Sequence, residues 1–213
     1  MVDGPEFIEE YDLVSSGGAF DSFDCIFKIS PNNFISFAEE DLNEGSKRGF
    51  VNALSNIKRS IDCQTELLIY ILGNFEKMKK EHWNFPKKIS FLERAGVVSS
   101  RILKKINKYR NQLEHDFNVP KKEEVEDFLD IANLFLDATS QITRKICNDF
   151  AFCSKRDVQK PSPSCTLEWN PKEKKYSFSY TIPPEKSIKK NIDPEKEEDF
   201  SFIKLYVNIM KTN

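Results

Sequence analysis

Within Arg110-Asn111-Gln112-Leu113-Glu114-His115 the chain sets a guanidinium, a carboxamide and an imidazole within two turns of a helix. An imidazole titrates near neutrality and serves as general base or acid. A guanidinium binds phosphate bidentately and neutralises charge that builds on it. The Asn111 amide, one turn before His115, is placed to orient the histidine or the phosphate. These groups suffice for RNA cleavage by the RNA's own 2′-hydroxyl, so the candidate catalytic residues are Arg110, His115 and Asn111. Just upstream, Arg101, Lys104, Lys105 and Lys108 are basic, and no acid intervenes before Glu114. Lys104, Lys105 and Lys108 are therefore the candidate RNA-binding residues.

Plainer readings stand beside this one. A charge run is commonly a solvated helix face. Arg110 falls beside an apolar stripe of Ile102, Ile106, Tyr109, Leu113 and Phe117, where a structural salt bridge would satisfy it as well as a phosphate. A lone histidine on a helix is commonly structural. His82, in Glu81-His82-Trp83, has no comparable neighbours and reads as structural or exposed.

No metal site is expected. The five cysteines, Cys25, Cys63, Cys147, Cys153 and Cys165, are scattered without a Cys-x-x-Cys pair, and there are two histidines. The chemistry proposed for residues 110–115 calls for no cofactor. An odd cysteine count and a start, Met1-Val-Asp-Gly-Pro-Glu, without basic and apolar leader regions predict free thiols in the cytoplasm. The longest apolar run, Leu67 to Leu72, is far below the roughly 20 residues that span a bilayer, so no membrane association is expected. A net charge of −2 argues against general coating of nucleic acid and leaves room for a local basic patch. Hydrophobic residues at 39%, including 18 phenylalanines, supply a core.

The elements that must position this segment are mainly helical. Phe50, Leu54, Ile57, Ile61, Leu68, Ile71, Leu72 and Phe75 recur at three- and four-residue steps and predict a long helix over 46–80, with Ser46 as N-cap and Gly73-Asn74 as an interruption. Short helices are expected at Phe34–Ala38 and Ile89–Ala95, the second closed by Gly96. A helix over 101–117 carries the motif, and another over 121–150 carries Val125, Phe128, Leu129, Ala132, Phe135, Leu136, Ile142 and Ile146. Beyond the Lys160-Pro-Ser-Pro-Ser164 linker the apolar period changes to two. Thr166–Trp169 and Lys175–Tyr180 read as a hairpin around Asn170-Pro171-Lys172-Glu173, and Asp199–Met210 reads as a further strand. Cys25–Ile29 reads as a short strand in a weakly patterned N-terminal region. The expected architecture is mainly α: a four- to five-helix bundle with a small C-terminal antiparallel β unit. Its divisions are an extension at 1–33, the bundle at 34–153, a linker at 154–164 and the β appendage at 165–213.

In Arg110-Asn111-Gln112-Leu113-Glu114-His115 the chain resembles the HEPN superfamily, whose motif is Arg, often followed by Asn or another polar residue, then four to six positions to His. The setting is similar too: a basic motif helix, the Asn118-Val119-Pro120 turn, then an acidic amphipathic helix opening Lys121-Lys-Glu-Glu-Val-Glu-Asp. The resemblance covers roughly residues 46–150. It implies a HEPN-like helical bundle, a homodimer, and two facing motifs that form one metal-independent ribonuclease site, commonly in toxins or defence effectors. It equally implies a possible fate as an inactive interaction or nucleotide-binding module, or an immunity or antitoxin partner of the same fold. A regulatory protein partner is a further expectation. Toxins paired with a nucleotidyltransferase antitoxin carry Tyr two places after the histidine. Here Phe117 stands there, which leaves no hydroxyl to modify.

Overall fold

The computed structural model describes residues 11–17, 21–22, 25–98, 101–102, 104–106, 108, 119–146, 149–154, 164–170, 175–182 and 186–212. The chain divides into two units, one of residues 24–70 and 78–140, the other of residues 1–23, 71–77 and 141–213. It is mainly helical and carries an antiparallel sheet. Among the described residues no helix is long and apolar enough to cross a membrane.

The first unit is helical. Helix α1, Pro31–Asn43, opens on a reciprocal cap: the Asn33 amide donates to Ser30 Oγ at 3.2 Å, and the Ser30 amide donates to Asn33 Oδ1 at 3.0 Å. Pro31 sits at the first helical position, where its missing N–H costs nothing. Helix α2, Lys47–Ile71, is capped by Ser46, whose hydroxyl accepts from the Gly49 amide at 2.9 Å, as read from the sequence. It stops at Leu72-Gly73-Asn74, and α3, Phe75–Lys80, follows. The expected interruption at Gly73-Asn74 is therefore present, with Gly73 at φ +73°.

Helix α4, Phe85–Arg94, begins earlier than its apolar pattern suggested, because Asn84 Oδ1 accepts from the Lys87 amide at 3.0 Å and Pro86 suits the first turn. It closes as expected on Gly96, at φ +78°. The Gly96 amide donates to the Glu93 carbonyl and the Val97 amide to the Leu92 carbonyl, each at 3.0 Å. Helix α5 is described at residues 101–102, 104–106 and 108. Helix α6, Lys122–Arg144, starts where Glu124 Oε2 accepts from the Lys121 amide at 2.9 Å, with Glu123 and Glu124 favourably placed in the first turn.

The core of this unit is the sum of the apolar stripes. Ile57, Ile61 and Leu68 of α2, Leu92 of α4, Ile106 of α5, and Phe128 and Phe135 of α6 are all fully or almost fully buried. Polar ties fix the packing: Ser60 Oγ donates to the Pro31 carbonyl at 2.8 Å, and Asn56 Nδ2 donates to Asp41 Oδ2 at 2.8 Å.

The second unit holds a five-stranded antiparallel sheet in the order β1-β4-β5-β6-β7, with β1 Tyr11–Gly17, β4 Asp149–Ser154, β5 Ser164–Asn170, β6 Lys175–Ile182 and β7 Lys186–Ile192. A two-residue pair, β2 Asp21–Ser22 with β3 Lys145–Ile146, accompanies it. The hairpin read around residues 170–173 is β5–β6, in the register Asn170↔Lys175 and Trp169↔Tyr176. Tyr176 and Phe178 point into the core, and Ser177 and Ser179 are half-buried. Helix α7, Phe200–Thr212, completes that core: the Tyr176 and Tyr206 rings lie 5.8 Å apart, and those of Phe178 and Phe202 4.9 Å apart. The Tyr176 hydroxyl donates to the Ile71 carbonyl, and Asn74 Nδ2 donates to the Pro194 carbonyl at 2.9 Å.

Four expectations need correction. Asp199–Met210 is helical, because Phe202, Ile203, Tyr206, Val207 and Met210 form a three-and-four stripe, and all five are buried. The alternation through Ile203, Leu205, Val207 and Ile209 was an accident of apolar density. The helix expected over 121–150 ends at Arg144, since the alternation of Phe150 and Phe152 belongs to β4. Cys25–Ile29 forms bends rather than a strand, with Ile26 and Ile29 exposed. Finally, the sheet extends beyond the hairpin: it takes β1 from the N-terminus, and its last strand, β7, from the lysine-rich Lys186–Ile192.

Candidate basic face and groove

Lysine and arginine are good helix formers, and Ile102 and Ile106 supply an apolar anchor one turn apart, in keeping with the helical state of residues 101–102, 104–106 and 108. Ile106 is fully buried and Ile102 half-buried. At about 100° per residue, the positions of Arg101, Lys104, Lys105 and Lys108 fall within a sector of about 100° whose centre lies roughly opposite Ile106. All four are exposed. Over a rise of about 10 Å they present one cationic strip. None of them is ion-paired with a described residue. The three lysines assigned to RNA binding thus share one solvent face, and Arg101 joins them.

Arg110, Asn111 and His115 lie outside the described residues, as does Phe117. His82 is exposed in a turn after α3, at φ +49°, in keeping with its reading as structural or exposed.

The structure adds a feature that the sequence did not reveal. An open groove of about 400 Å³ runs along α2, lined by Phe27, Ile29, Phe34, Arg59, Asp62, Cys63 and Glu66. Arg59, Asp62 and Glu66 lie at three- and four-residue steps, which is the one signal of it in the sequence. Glu66 pairs with Lys88 at 2.5 Å. Cys63 Sγ donates to the Ile29 carbonyl at 3.6 Å. Burial chiefly pushes the Cys63 thiol up to about 12, helped by the neighbouring Cys25, Glu66 and Asp62. It is therefore a protonated donor at neutral pH, not a nucleophile.

No family model matches the chain, and neither a curated protein nor a solved structure is similar to it.

Proposed function

We propose that the protein is a metal-independent RNA endonuclease of HEPN type, working as a homodimer, in the manner of a toxin or defence effector. The observation that supports this reading most is the cationic strip on α5. A chain with net charge −2 concentrates four exposed cations on one helix face, two residues before Arg110 in the sequence. Such a strip binds a phosphate backbone without regard to base.

In this reading Lys104, Lys105 and Lys108 hold the RNA, and Arg110 neutralises charge on the scissile phosphate. His115 of one protomer removes the 2′-hydroxyl proton, and His115 of its partner protonates the leaving 5′-oxygen. Asn111 holds the phosphate or the imidazole. One histidine and one arginine per chain are few for concerted acid–base chemistry, and a two-fold axis doubles both.

The test is incubation of single-stranded RNA with the purified protein in EDTA. The expected product is a 5′ fragment ending in a 2′,3′-cyclic phosphate, with no cleavage of DNA, which lacks the nucleophile. DNA cleaved at the same rate, or activity abolished by EDTA, overturns the mechanism. RNA bound and left intact favours the alternative, a non-catalytic HEPN-like interaction or nucleotide-binding module.

A further inference from the structure

We propose that the α2 groove is a binding site for a short apolar peptide with free ends, about three residues long, its carboxylate on Arg59 and its ammonium on Glu66. The two walls of the groove differ in chemistry. One is apolar and consists of Phe27, Ile29 and Phe34. Ile29 is exposed, and the Phe34 ring meets the exposed Phe37 edge-on at 6.3 Å, so the apolar surface continues along α1. This wall is held in place, because Cys63 Sγ donates to the Ile29 carbonyl at 3.6 Å and Ser60 Oγ to the Pro31 carbonyl at 2.8 Å. The other wall is a face of α2 and is charged. Arg59 stands at one end, Asp62 follows about one turn on, and Glu66 stands at the other end.

The order of those charges selects the ligand. Arg59 makes no ion pair with a described residue. Its Nη1 donates to Asn56 Oδ1 at 3.4 Å, and Asn56 Nδ2 donates to Asp41 Oδ2 at 2.8 Å. That relay orients the guanidinium and leaves it donors for a carboxylate. Glu66 gives Oε1 to Lys88 at 2.5 Å, and its Oε2 makes no hydrogen bond with a described residue. Counting Lys88 against Glu66 and Arg59 against Asp62, the charged wall is neutral as a whole, with its cation at one end and its acids toward the other. A purely anionic ligand would be repelled by Asp62 and Glu66, and a purely cationic one by Arg59. A neutral ligand with opposite charges at its two ends is repelled by neither. Length then sets its size. Arg59 and Glu66 are about 10.5 Å apart along the helix axis, and an extended tripeptide spans about 10 Å. A free amino acid is too short to reach both. The groove, at about 400 Å³, is of the size that holds small ligands. In an extended peptide the first and third side chains share one side, where Phe27, Ile29 and Phe34 receive them. This inference stands apart from the ribonuclease reading, which puts its RNA on α5.

The experiment is isothermal titration calorimetry of the full chain with trileucine at neutral pH. The expected result is saturable binding of one peptide per chain. Trileucine amide and N-acetyl-trileucine each lack one end charge. Each should bind about fivefold more weakly, the weight of one partly exposed ion pair. Arg59→Gln should weaken trileucine by a similar factor and cost the amide nothing further, and Glu66→Gln should do the same for the acetylated peptide. Arg59 is exposed, so its substitution is expected to leave the fold intact. The blocked peptides test both charges on the wild-type protein, whatever the variants do. No binding of trileucine at millimolar concentration overturns the proposal. So does binding of both blocked peptides as tightly as trileucine, or binding of free leucine as tightly as the tripeptide.

Discussion

The side-chain amide of Gln64 in α2 donates a 2.6 Å hydrogen bond to the hydroxyl of Thr139 in α6, and both residues are buried. Thr139 Oγ in turn donates to the Phe135 carbonyl at 2.8 Å. The relay is a buried polar link between the two longest described helices, and it ties one helix register to the other. Thr139→Val removes the acceptor and strands a buried amide, so it should cost about 1–3 kcal/mol of stability. Gln64→Leu/Thr139→Val together should cost less than the sum of the singles, because no polar group is then left unpaired. Denaturant titration of the four proteins checks this. Strict additivity would mean that the bond contributes nothing to register.

Gly49 lies at the crossing of the α1 C-terminus and the first turn of α2. A Cβ there would press on the Asp41 carbonyl oxygen, well inside van der Waals contact. Backbone cannot swing aside as a long side chain can. Gly49→Ala should therefore destabilise the protein by about 1–3 kcal/mol, despite alanine's higher helix propensity. A rise in melting temperature would show that the two helices are farther apart than described.

Stability should fall in alkali. Burial, reinforced by Tyr206, holds the Tyr176 hydroxyl well above its usual range, and burial holds Cys63 up at about 12 against an ordinary 9.0. For both groups the folded state disfavours the ionised form. The unfolded chain releases the protons first, so unfolding is coupled to proton loss. The stabilisation is complete below about pH 9 and declines as pH rises from about 9 towards 12. Thermal melts at intervals from neutrality upward should show this decline, and Cys63→Ser should flatten its first part. Tyr176→Phe should remove the tyrosine contribution, at a cost of about 1 kcal/mol for the bond to the Ile71 carbonyl. Stability unchanged up to pH 11 would contradict both assignments.

The helical stripes were legible because each buries one face at a fixed period: Val125, Phe128, Ala132 and Phe135 needed no tertiary information. The caps at Ser46 and Gly96 were equally local. What escaped were features set by partners distant in sequence. Strand β1 pairs with β4, which lies beyond all the helices of the first unit in sequence, and no local pattern announces that. Helix α7 was misread because dense apolar sequence satisfies periods of two and of 3.6 at once, and burial decides between them. The groove beside Cys63 depends on where residues 25–30 lie against α2, again a tertiary matter. Of the candidate site, the exposure of Lys104, Lys105 and Lys108 on one helix face agrees with the plain reading of the charge run as a solvated face.

If the α5 strip holds RNA, affinity for single-stranded RNA should fall with salt. Each phosphate neutralised contributes about −0.7 to the slope of log affinity against log salt, so four cations set a slope of at most about −3. Lys104→Gln, Lys105→Gln and Lys108→Gln should each reduce its magnitude by about 0.7. These positions are exposed, so stability should move by no more than about 0.5 kcal/mol. Lys204→Gln, on the exposed side of α7, serves as control and should leave both quantities unchanged. A slope insensitive to all three lysines would place the RNA elsewhere.

The last prediction separates a composite site from one complete in each chain. General acid–base assistance is typically worth about 10²–10⁴-fold, so His115→Ala should lose at least about 10²-fold in cleavage rate. Arg110→Ala should lose a similar amount through uncompensated phosphate charge. Phe117→Tyr should leave cleavage intact, since that ring is assigned no role in the reaction. If one His115 is the base and the partner's the acid, a dimer with a single His115→Ala chain lacks one of the two. Equal amounts of wild-type and His115→Ala chains, allowed to exchange subunits fully, should then retain about one quarter of the wild-type activity, the fraction of dimers with two intact chains. Sites that work alone would retain about one half. Light scattering run alongside should show a dimer at micromolar concentration. A monomer that cleaves RNA at full rate would rule out the two-histidine mechanism, and Arg110 and His115 would then have to act within one chain.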